Sequence, residues 1–369
     1  MFLSPFFPLG NTGPFWTHSE LCSLPLSFPE DDYFCESSEH RNPDVVKAFG
    51  TSSPPGTFFL LHQGPSNQKR GYPVILVHGA GTDASCWTWE GPGLTGLAWQ
   101  LWRRGFWVFG ITFSHPHGDN RIQGRQLAAA CEKVCQITGS PRVDIVAHSK
   151  GGIACRAWLQ GMVEGVPCDA VRRVCFLGVP NLGLDFIFRY PLLALSAWSL
   201  GFSMPIPYVQ LNVGLSKVDT QKHSPYRGGA FKGQGQMLRD WSKDYPLEPG
   251  DWEALTVYRG GQTMIGCSLG IEEAIKDGED FVSRLAEKPF VNPVEVALMA
   301  GSTSFWLLGE GATAVLGDGL VLPESALESG IFEKSGCKIL GKELFPVHHF
   351  EMLYLPLVAD WVTEMLRLN

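Results

Sequence analysis

The 369-residue sequence has few charged side chains and no concentration of positive charge. Charged residues make up 18% of the chain, the net charge is −8, and no run of Lys or Arg is longer than two residues. A basic face that could neutralise nucleic-acid phosphates is therefore not expected, which argues against a nucleic-acid partner. No apolar run is long enough to cross a membrane as a helix, and no repeats or low-complexity stretches occur.

The ten cysteines lack the C-x-x-C spacing of zinc sites and redox-active pairs. We expect Cys131, Cys135 and Cys155 on helices and Cys175 on a strand, each as a small buried hydrophobic residue. Residues 1–28 have neither a basic n-region nor an unbroken apolar core of the kind that a signal peptide contains. These two observations favour a cytoplasmic location, with secretion as the alternative.

Strands and helices alternate along the sequence after a proline-rich arm at residues 1–50, which we expect to be irregular. Apolar runs predict strands at residues 57–63, 72–77, 106–113, 171–177, 294–300 and 337–340, and a further strand that begins at 143. Helical spacing predicts helices at residues 99–104, 121–138, 271–287 and 355–366. This alternation predicts an α/β fold in which a mostly parallel central sheet is covered by helices on both faces.

Residues 143–152, Val-Asp-Ile-Val-Ala-His-Ser-Lys-Gly-Gly, are the most informative segment of the sequence. Strand-forming residues lead directly into Ser149 and a helical pattern follows it, which predicts a serine on a tight strand–turn–helix hinge. Such a turn requires small residues two positions before and after the serine, and these are Ala147 and Gly151. Ser149 is therefore a candidate nucleophile; the alternative is an ordinary Ser-Gly loop.

A nucleophilic serine requires a base, and only three histidines follow Ser149 in the chain. His223 lies in a polar stretch of an insertion, whereas His348 and His349 lie between the last predicted strand and the final helix. Loops at the carboxyl ends of parallel strands converge on one crevice, so the base should come from this pair. We select His349, although the pair would also fit a simple surface feature.

The candidate acid is Asp318, which lies between two glycines in the loop region after the strand at 294–300. A carboxylate there would hold the imidazole in the correct tautomer and stabilise the imidazolium. A plain Asp-Gly turn is the alternative interpretation, and Glu310 is the alternative acid. The oxyanion hole should use two backbone N–H groups, those of Lys150 and Ala80, with His78 and His148 as structural neighbours.

Two further segments carry side chains of functional interest. His115, His117 and Asp119 resemble a metal corner, but no fourth ligand is evident, and we interpret this segment as a loop at the rim of the site. Regular alternation stops after Gly183, so we expect residues 51–183 and 290–369 to form the core and residues 184–289 to form a cap or lid.

The first part of this insertion, residues 186–206, is strongly apolar. We select Trp198, Leu200 and Phe202 as candidate substrate-binding residues. A buried cap core would explain these side chains, and so would a lid that opens onto an acyl chain or a lipid surface.

Taken together, these motifs resemble the lipases and esterases of the α/β-hydrolase superfamily, particularly the bacterial true lipases. The similarity covers residues 72–183 and the chain from about 315 onwards. Residues 74–79 resemble their oxyanion loop, residues 143–152 resemble their nucleophile elbow, and residues 177–183 resemble the loop after the strand that follows the elbow helix. Residues 317–321 resemble the loop that carries the catalytic Asp, and residues 347–351 resemble the loop that carries the catalytic His. The resemblance implies an α/β-hydrolase fold and a triad of Ser149, Asp318 and His349. Two residues depart from the pattern: Ala147 replaces the first elbow glycine, and Glu351 replaces a calcium-binding aspartate, so we do not expect calcium.

The resemblance implies a serine carboxylic-ester hydrolase that acts on lipids or other apolar acyl esters through an acyl-enzyme, without a metal or other cofactor. The same triad could serve a polyester depolymerase, an acyltransferase or an amidase. A hypothesis of another class is a non-catalytic protein that binds an apolar ligand under its cap. The expected partners are a small-molecule or lipid ester and, through the lid, a lipid interface.

Overall fold

The computed structural model of the protein describes residues 15–24, 47, 49, 56–66, 71–91, 93–163, 165–191, 208–213, 216–219, 232–263, 266–303 and 317–368. Fourteen strands lie in this described part of the chain: β1 (His18–Ser23), β2 (Thr57–His62), β3 (Val74–Val77), β4 (Glu90–Gly91), β5 (Leu94–Thr95), β6 (Val108–Phe113), β7 (Val143–His148), β8 (Val171–Leu177), β9 (Tyr208–Val213), β10 (Ser216–Asp219), β11 (Gly261–Gln262), β12 (Gly266–Ser268), β13 (Glu295–Gly301) and β14 (Lys338–Phe345).

The same residues contain eleven α-helices: α1 (Leu97–Arg103), α2 (Asn120–Thr138), α3 (Lys150–Leu159), α4 (Phe186–Arg189), α5 (Lys232–Gly235), α6 (Trp252–Arg259), α7 (Ile271–Asp277), α8 (Phe281–Glu287), α9 (Pro323–Ala326), α10 (Gly330–Lys334) and α11 (Pro356–Arg367). Two short 3₁₀ helices span Ala84–Trp87 and Glu351–Leu353. None of the described helices combines the length and the apolar character that a membrane crossing requires.

Eight strands form the central sheet, in the spatial order β1-β2-β6-β3-β7-β8-β13-β14. The pairs β1–β2 and β2–β6 are antiparallel, and every pair from β6 to β14 is parallel. A parallel ladder places the carboxyl ends of β3, β7, β8, β13 and β14 at one edge of the sheet. The loops after these strands carry the residues selected from the sequence.

Both faces of the sheet are covered, as the alternation of strands and helices predicts. Along β3, Ile75 and Val77 belong to an apolar cluster with residues of α2 and α3, whereas Val74 and Leu76 belong to a second cluster with residues of α1 and α11. Successive side chains of a strand point to opposite faces, so the two clusters lie on the two sides of the sheet. The fully apolar sequence of β3 follows from burial on both faces.

A second, antiparallel sheet lies within residues 184–289, outside the central one. Its strand order is β10-β9-β12-β11. A separate sheet within this range is consistent with an inserted cap, and the limits 51–183, 184–289 and 290–369 stay a prediction.

Two expectations about secondary structure are wrong. The arm at residues 1–50 is not irregular throughout, because β1 pairs with β2 at the edge of the central sheet. The predicted helix at 271–287 is two helices, α7 and α8, because Glu279 and Asp280 have positive φ values of 62° and 48° after Gly278. A left-handed backbone conformation cannot continue a right-handed helix.

The described cysteines are all free thiols. Cys131, Cys155 and Cys175 are at most 1% exposed, as expected for small hydrophobic residues, and Cys135 is half-buried. Burial raises the pKa values of the thiols of Cys155 and Cys175 above their ordinary value, which keeps them protonated.

Candidate active site

Ser149 occupies the sharp turn between β7 and α3. Its backbone has φ 52° and ψ −130°, a conformation that non-glycine residues rarely adopt. Its N–H donates to the carbonyl of Leu177 at 3.0 Å, which ties the turn to the end of the neighbouring strand β8. Strain of this kind persists where the surrounding structure enforces it, and it is concentrated at functional sites.

The small residues around Ser149 are required by close contacts. A Cβ on Gly151 would lie 2.3 Å from the carbonyl oxygen of His78, and a Cβ on Gly79 would lie 2.9 Å from the Cβ of Ser149. Ala147 is fully buried. The loop after β3 therefore packs directly against the serine turn, and no larger side chain would fit at Gly151 or Gly79.

His349 and Asp318 form a buried hydrogen-bonded pair. The Nδ1 atom of His349 lies 2.7 Å from Oδ2 of Asp318, and the His349 N–H donates to the Asp318 carbonyl at 2.9 Å. The other carboxylate oxygen, Oδ1, accepts from the backbone N–H groups of Leu320 and Val321 at 3.0 and 2.8 Å. With an ionised Asp318, Nδ1 carries the proton and Nε2 is left as the basic nitrogen.

The serine turn lies next to this pair through Gly178, which follows Leu177 and has φ +56°. A Cβ on Gly178 would lie 3.0 Å from Oδ2 of Asp318 and 3.1 Å from Nδ1 of His349. Ser149 is hydrogen-bonded to the residue just before Gly178. The three residues predicted as a triad are therefore brought to one edge of the sheet.

His148 supports His349, a role that the sequence reasoning did not assign. Its Nε2 atom donates to the His349 carbonyl at 3.0 Å, and the two rings lie 4.5 Å apart. Burial lowers the pKa of the His148 imidazole well below its ordinary value, and the neighbouring His349 lowers it further. A neutral His148 thus holds the backbone of His349 without adding a positive charge. The sequence signal was its position directly before the serine.

His78 holds the loop that carries Ala80. Its Nε2 atom accepts from the N–H of Phe113 at 3.2 Å, so the proton is on Nδ1, which donates to the Gly79 carbonyl at 2.8 Å. Gly81 follows with φ +63°. The loop is thus fixed beside Ser149, and the donor roles of the Ala80 and Lys150 N–H groups stay predictions.

His348, the histidine that was not selected, points to a different partner. Its backbone N–H donates to Oε2 of Glu351 at 2.9 Å, and its Nε2 atom lies 3.6 Å from Oε1 of the same carboxylate. Burial lowers the pKa of His348, against the opposing effect of Glu351. The hydrogen bond to Asp318 is made by the imidazole of His349.

In the segment with His115, His117 and Asp119, several polar groups contact other groups of the protein. The His117 N–H donates to Nδ1 of His115 at 3.0 Å, and Nδ1 of His117 lies 2.5 Å from Nε2 of Gln234. Asp119 caps α2 and pairs with Arg121 at 3.2 Å. No group of three or more potential metal ligands occurs among the described residues. Five residues weighed in the sequence lie outside the described ranges: Trp198, Leu200, Phe202, His223 and Glu310.

The fold and these motifs can be compared with known proteins. Triacylglycerol lipases from Pseudarthrobacter phenanthrenivorans and Burkholderia plantarii are each 33% identical over 123 residues, which is 31% of this chain and 35% and 31% of theirs. The chain thus spans about a third of the length of these curated relatives. The mature lipase BlEst2 of Bacillus licheniformis has a similar fold, with a TM-score of 0.50 and 18% identity over 84% of this chain and 98% of that one. The sequence model of the alpha/beta hydrolase family matches residues 74–315, about two thirds of the chain, and the chain therefore belongs to this family.

Proposed function

We propose that this protein is a serine carboxylic-ester hydrolase that acts on lipids or other esters with apolar acyl groups. The observation that carries the proposal is the buried Asp318–His349 hydrogen bond, 2.7 Å long, beside the strained turn that presents Ser149. Along the chain the proposed nucleophile Ser149 comes first, the acid Asp318 second and the base His349 third. This is the order found in α/β-hydrolases.

In the first half-reaction, Ser149 Oγ attacks the ester carbonyl while Nε2 of His349 takes the hydroxyl proton. Asp318 stabilises the imidazolium through Nδ1–H and keeps the ring oriented. The carboxylate is itself held in place by the backbone N–H groups of Leu320 and Val321. His148 fixes the main chain that carries the base.

The tetrahedral intermediate places a negative charge on the former carbonyl oxygen. The backbone N–H groups of Ala80 and Lys150 donate to this oxygen, and the contact between Gly79 and Ser149 brings the two donor segments together. Collapse of the intermediate breaks the ester C–O bond, and the alcohol leaves with the proton from His349. A water molecule, deprotonated by His349, then hydrolyses the acyl-enzyme and releases the acid.

The acyl group is apolar in this proposal for two reasons. The matched relatives are triacylglycerol lipases, and residues 186–206, next to the site in sequence, are rich in aromatic and aliphatic side chains. We propose that residues 184–289 form a cap over the site, with Trp198, Leu200 and Phe202 in contact with the acyl chain. Contact with a lipid interface would use the same cap.

A fluorophosphonate probe tests the proposal directly, because covalent labelling requires an activated serine. We expect labelling of the wild-type protein and none of Ser149→Ala. Hydrolysis of p-nitrophenyl esters should then rise with acyl length and level off once the pocket is full. Each methylene contributes at most about 0.8 kcal/mol, roughly four-fold in kcat/KM. A folded wild-type protein that neither reacts with the probe nor hydrolyses any ester of the series would contradict the proposal.

A further inference from the structure

The side chain of Lys150, the residue after the proposed nucleophile, is buried and fully hydrogen-bonded. It is 1% exposed and begins α3. Its Nζ atom donates to the Gly118 carbonyl at 2.7 Å, to Oδ1 of Asn120 at 3.0 Å and to Oε1 of Gln123 at 2.5 Å. An ammonium group has three N–H bonds, and these three acceptors match them.

The three acceptors all belong to residues 118–123, which we call the rim segment. Each acceptor is a neutral carbonyl or amide oxygen, so the contact depends on the geometry of the hydrogen bonds. Burying a cation is unfavourable unless its hydrogen bonds are satisfied, and an apolar side chain of similar length would avoid that penalty. The presence of a lysine here therefore calls for a reason other than packing.

The rim segment is in turn held from its other side by residues 232–236. The Asn120 side-chain amide donates to Oε1 of Gln236 at 2.8 Å and to the Gly233 carbonyl at 3.1 Å. Asp119 forms an ion pair with Lys232 at 3.3 Å. The rim segment is thus fastened on both sides, and Lys150 has a rigid anchor for its ammonium group.

We propose that the Lys150 side chain is a positioning residue that aims its own backbone N–H at the oxyanion; this inference rests on the function proposed above. The peptide that carries this N–H directly follows Ser149, whose φ of 52° is strained. With Nζ anchored on the rim segment, the first residue of α3 cannot rotate to relax that strain. The donor then stays in place without reorganisation during the reaction.

Lys150→Met tests the inference, because methionine has a similar length and no N–H donors. We expect kcat, measured per active site titrated with a fluorophosphonate, to fall about 10- to 100-fold, since loss of one oxyanion donor lowers the rate by about 100- to 1,000-fold. KM for a p-nitrophenyl ester should change by less than about three-fold. The inhibition constant of an alkyl trifluoromethyl ketone, whose adduct carries an oxyanion, should rise by the same factor as kcat/KM falls.

Arg156→Met is the matched control, because it removes another buried cation from α3. Arg156 is fully buried and donates to the carbonyls of Asn181 and Leu285 at 2.6 and 3.1 Å, away from the rim segment. We expect this variant to lose stability, with kcat per active site and ketone affinity unchanged. Equal losses of kcat and ketone affinity in both variants would overturn the inference, because a general effect on folding would explain them.

Gln123→Met decides the question if Lys150→Met does not fold, because it removes one acceptor and keeps the ammonium group. Its kcat should fall about 3- to 10-fold, with the same constant KM and the same loss of ketone affinity, as expected for a partly displaced donor. A folded Lys150→Met or Gln123→Met variant with wild-type kcat and wild-type ketone affinity would overturn this inference and leave the proposed function intact. A wild-type protein that hydrolyses no ester and does not react with the probe would instead overturn the proposed function, and this inference with it.

Discussion

Substituting Gly178 with alanine should disturb the Asp318–His349 pair without removing any functional group. Gly178 has φ +56°, and a Cβ at this position would lie 3.0 Å from Oδ2 of Asp318 and 3.1 Å from Nδ1 of His349. These are the two atoms joined by the 2.7 Å hydrogen bond. The added methyl group would therefore push against both ends of the bond that orients the proposed base.

The size of the effect follows from the geometry. An ordinary contact of a Cβ atom begins at 3.4 Å, so the carboxylate or the ring must move by roughly 0.4 Å. A misplacement of about 1 Å lowers the rate by about 100-fold, so a shift of this size predicts a loss of about ten-fold in kcat. The left-handed backbone of alanine adds an independent destabilisation of about 1–2 kcal/mol to folding.

Gly139→Ala separates these two effects. Gly139 ends α2 with a similar φ of +67°, and nothing lies within 4 Å of the position its Cβ would take. Both alanine variants should therefore lower the free energy of unfolding by about 1–2 kcal/mol. The loss of kcat, measured with a short p-nitrophenyl ester, should occur only in Gly178→Ala. Equal activity of the two variants would refute the argument that these two atoms orient the base.

Three further outcomes are expected. Ser149→Ala and His349→Ala should each lower kcat by about 10⁴- to 10⁶-fold, and the double variant should be little worse. His348→Ala should keep most activity. The opposite result for the two histidines would exchange their roles. Asp318→Asn should keep the fold, judged by circular dichroism, and lower kcat by about 10⁴-fold through loss of the correct tautomer; a mild effect would move the acid elsewhere. Burial and the stacked imidazole of His18 lower the pKa of His62 from 6.5 to about 4. Between these two pH values the unfolded chain binds a proton that the folded chain does not. The stability contributed by neutral His62 is therefore present above pH 6.5 and is lost as the pH falls toward 4. The unfolding free energy should therefore fall less between about pH 7 and pH 4 in His62→Leu than in the wild-type protein. The difference should be about 1 kcal/mol once the partial exposure of His62 is allowed for. An unchanged pH dependence would show that His62 does not cause this loss of stability.

The serine turn was predictable because its residue types follow from local geometry. Gly151 faces the His78 carbonyl so closely that a side chain is excluded, and the small residue at this position was part of the sequence signal. The strand β7 and the helix α3 on either side of the serine are buried along their whole length. A sequence pattern can report this requirement because the small residues themselves, Ala147 and Gly151, lie within two positions of the serine.

The elements that were mispredicted have weak or conflicting local signals. β1 has mostly exposed side chains, and its strand conformation results from pairing with the edge of β2, nearly forty residues away in the chain. Polar side chains are typical of edge strands, because they discourage pairing with other molecules. At 271–287 the helical pattern is continuous across Gly278, but Glu279 and Asp280 interrupt the backbone.

The contacts that hold the site in place could not be derived from the sequence, although His148 was identified there as a structural neighbour of the site. His148 reaches the carbonyl of a residue 201 positions away, and Lys150 reaches acceptors 27 to 32 positions away. These contacts depend on side-chain direction in the folded protein. They flank Ser149 on both sides, and a strained backbone persists only when its neighbours enforce it. Loss of one of these contacts should therefore relax the serine turn and lower kcat while the central sheet, judged by circular dichroism, stays folded.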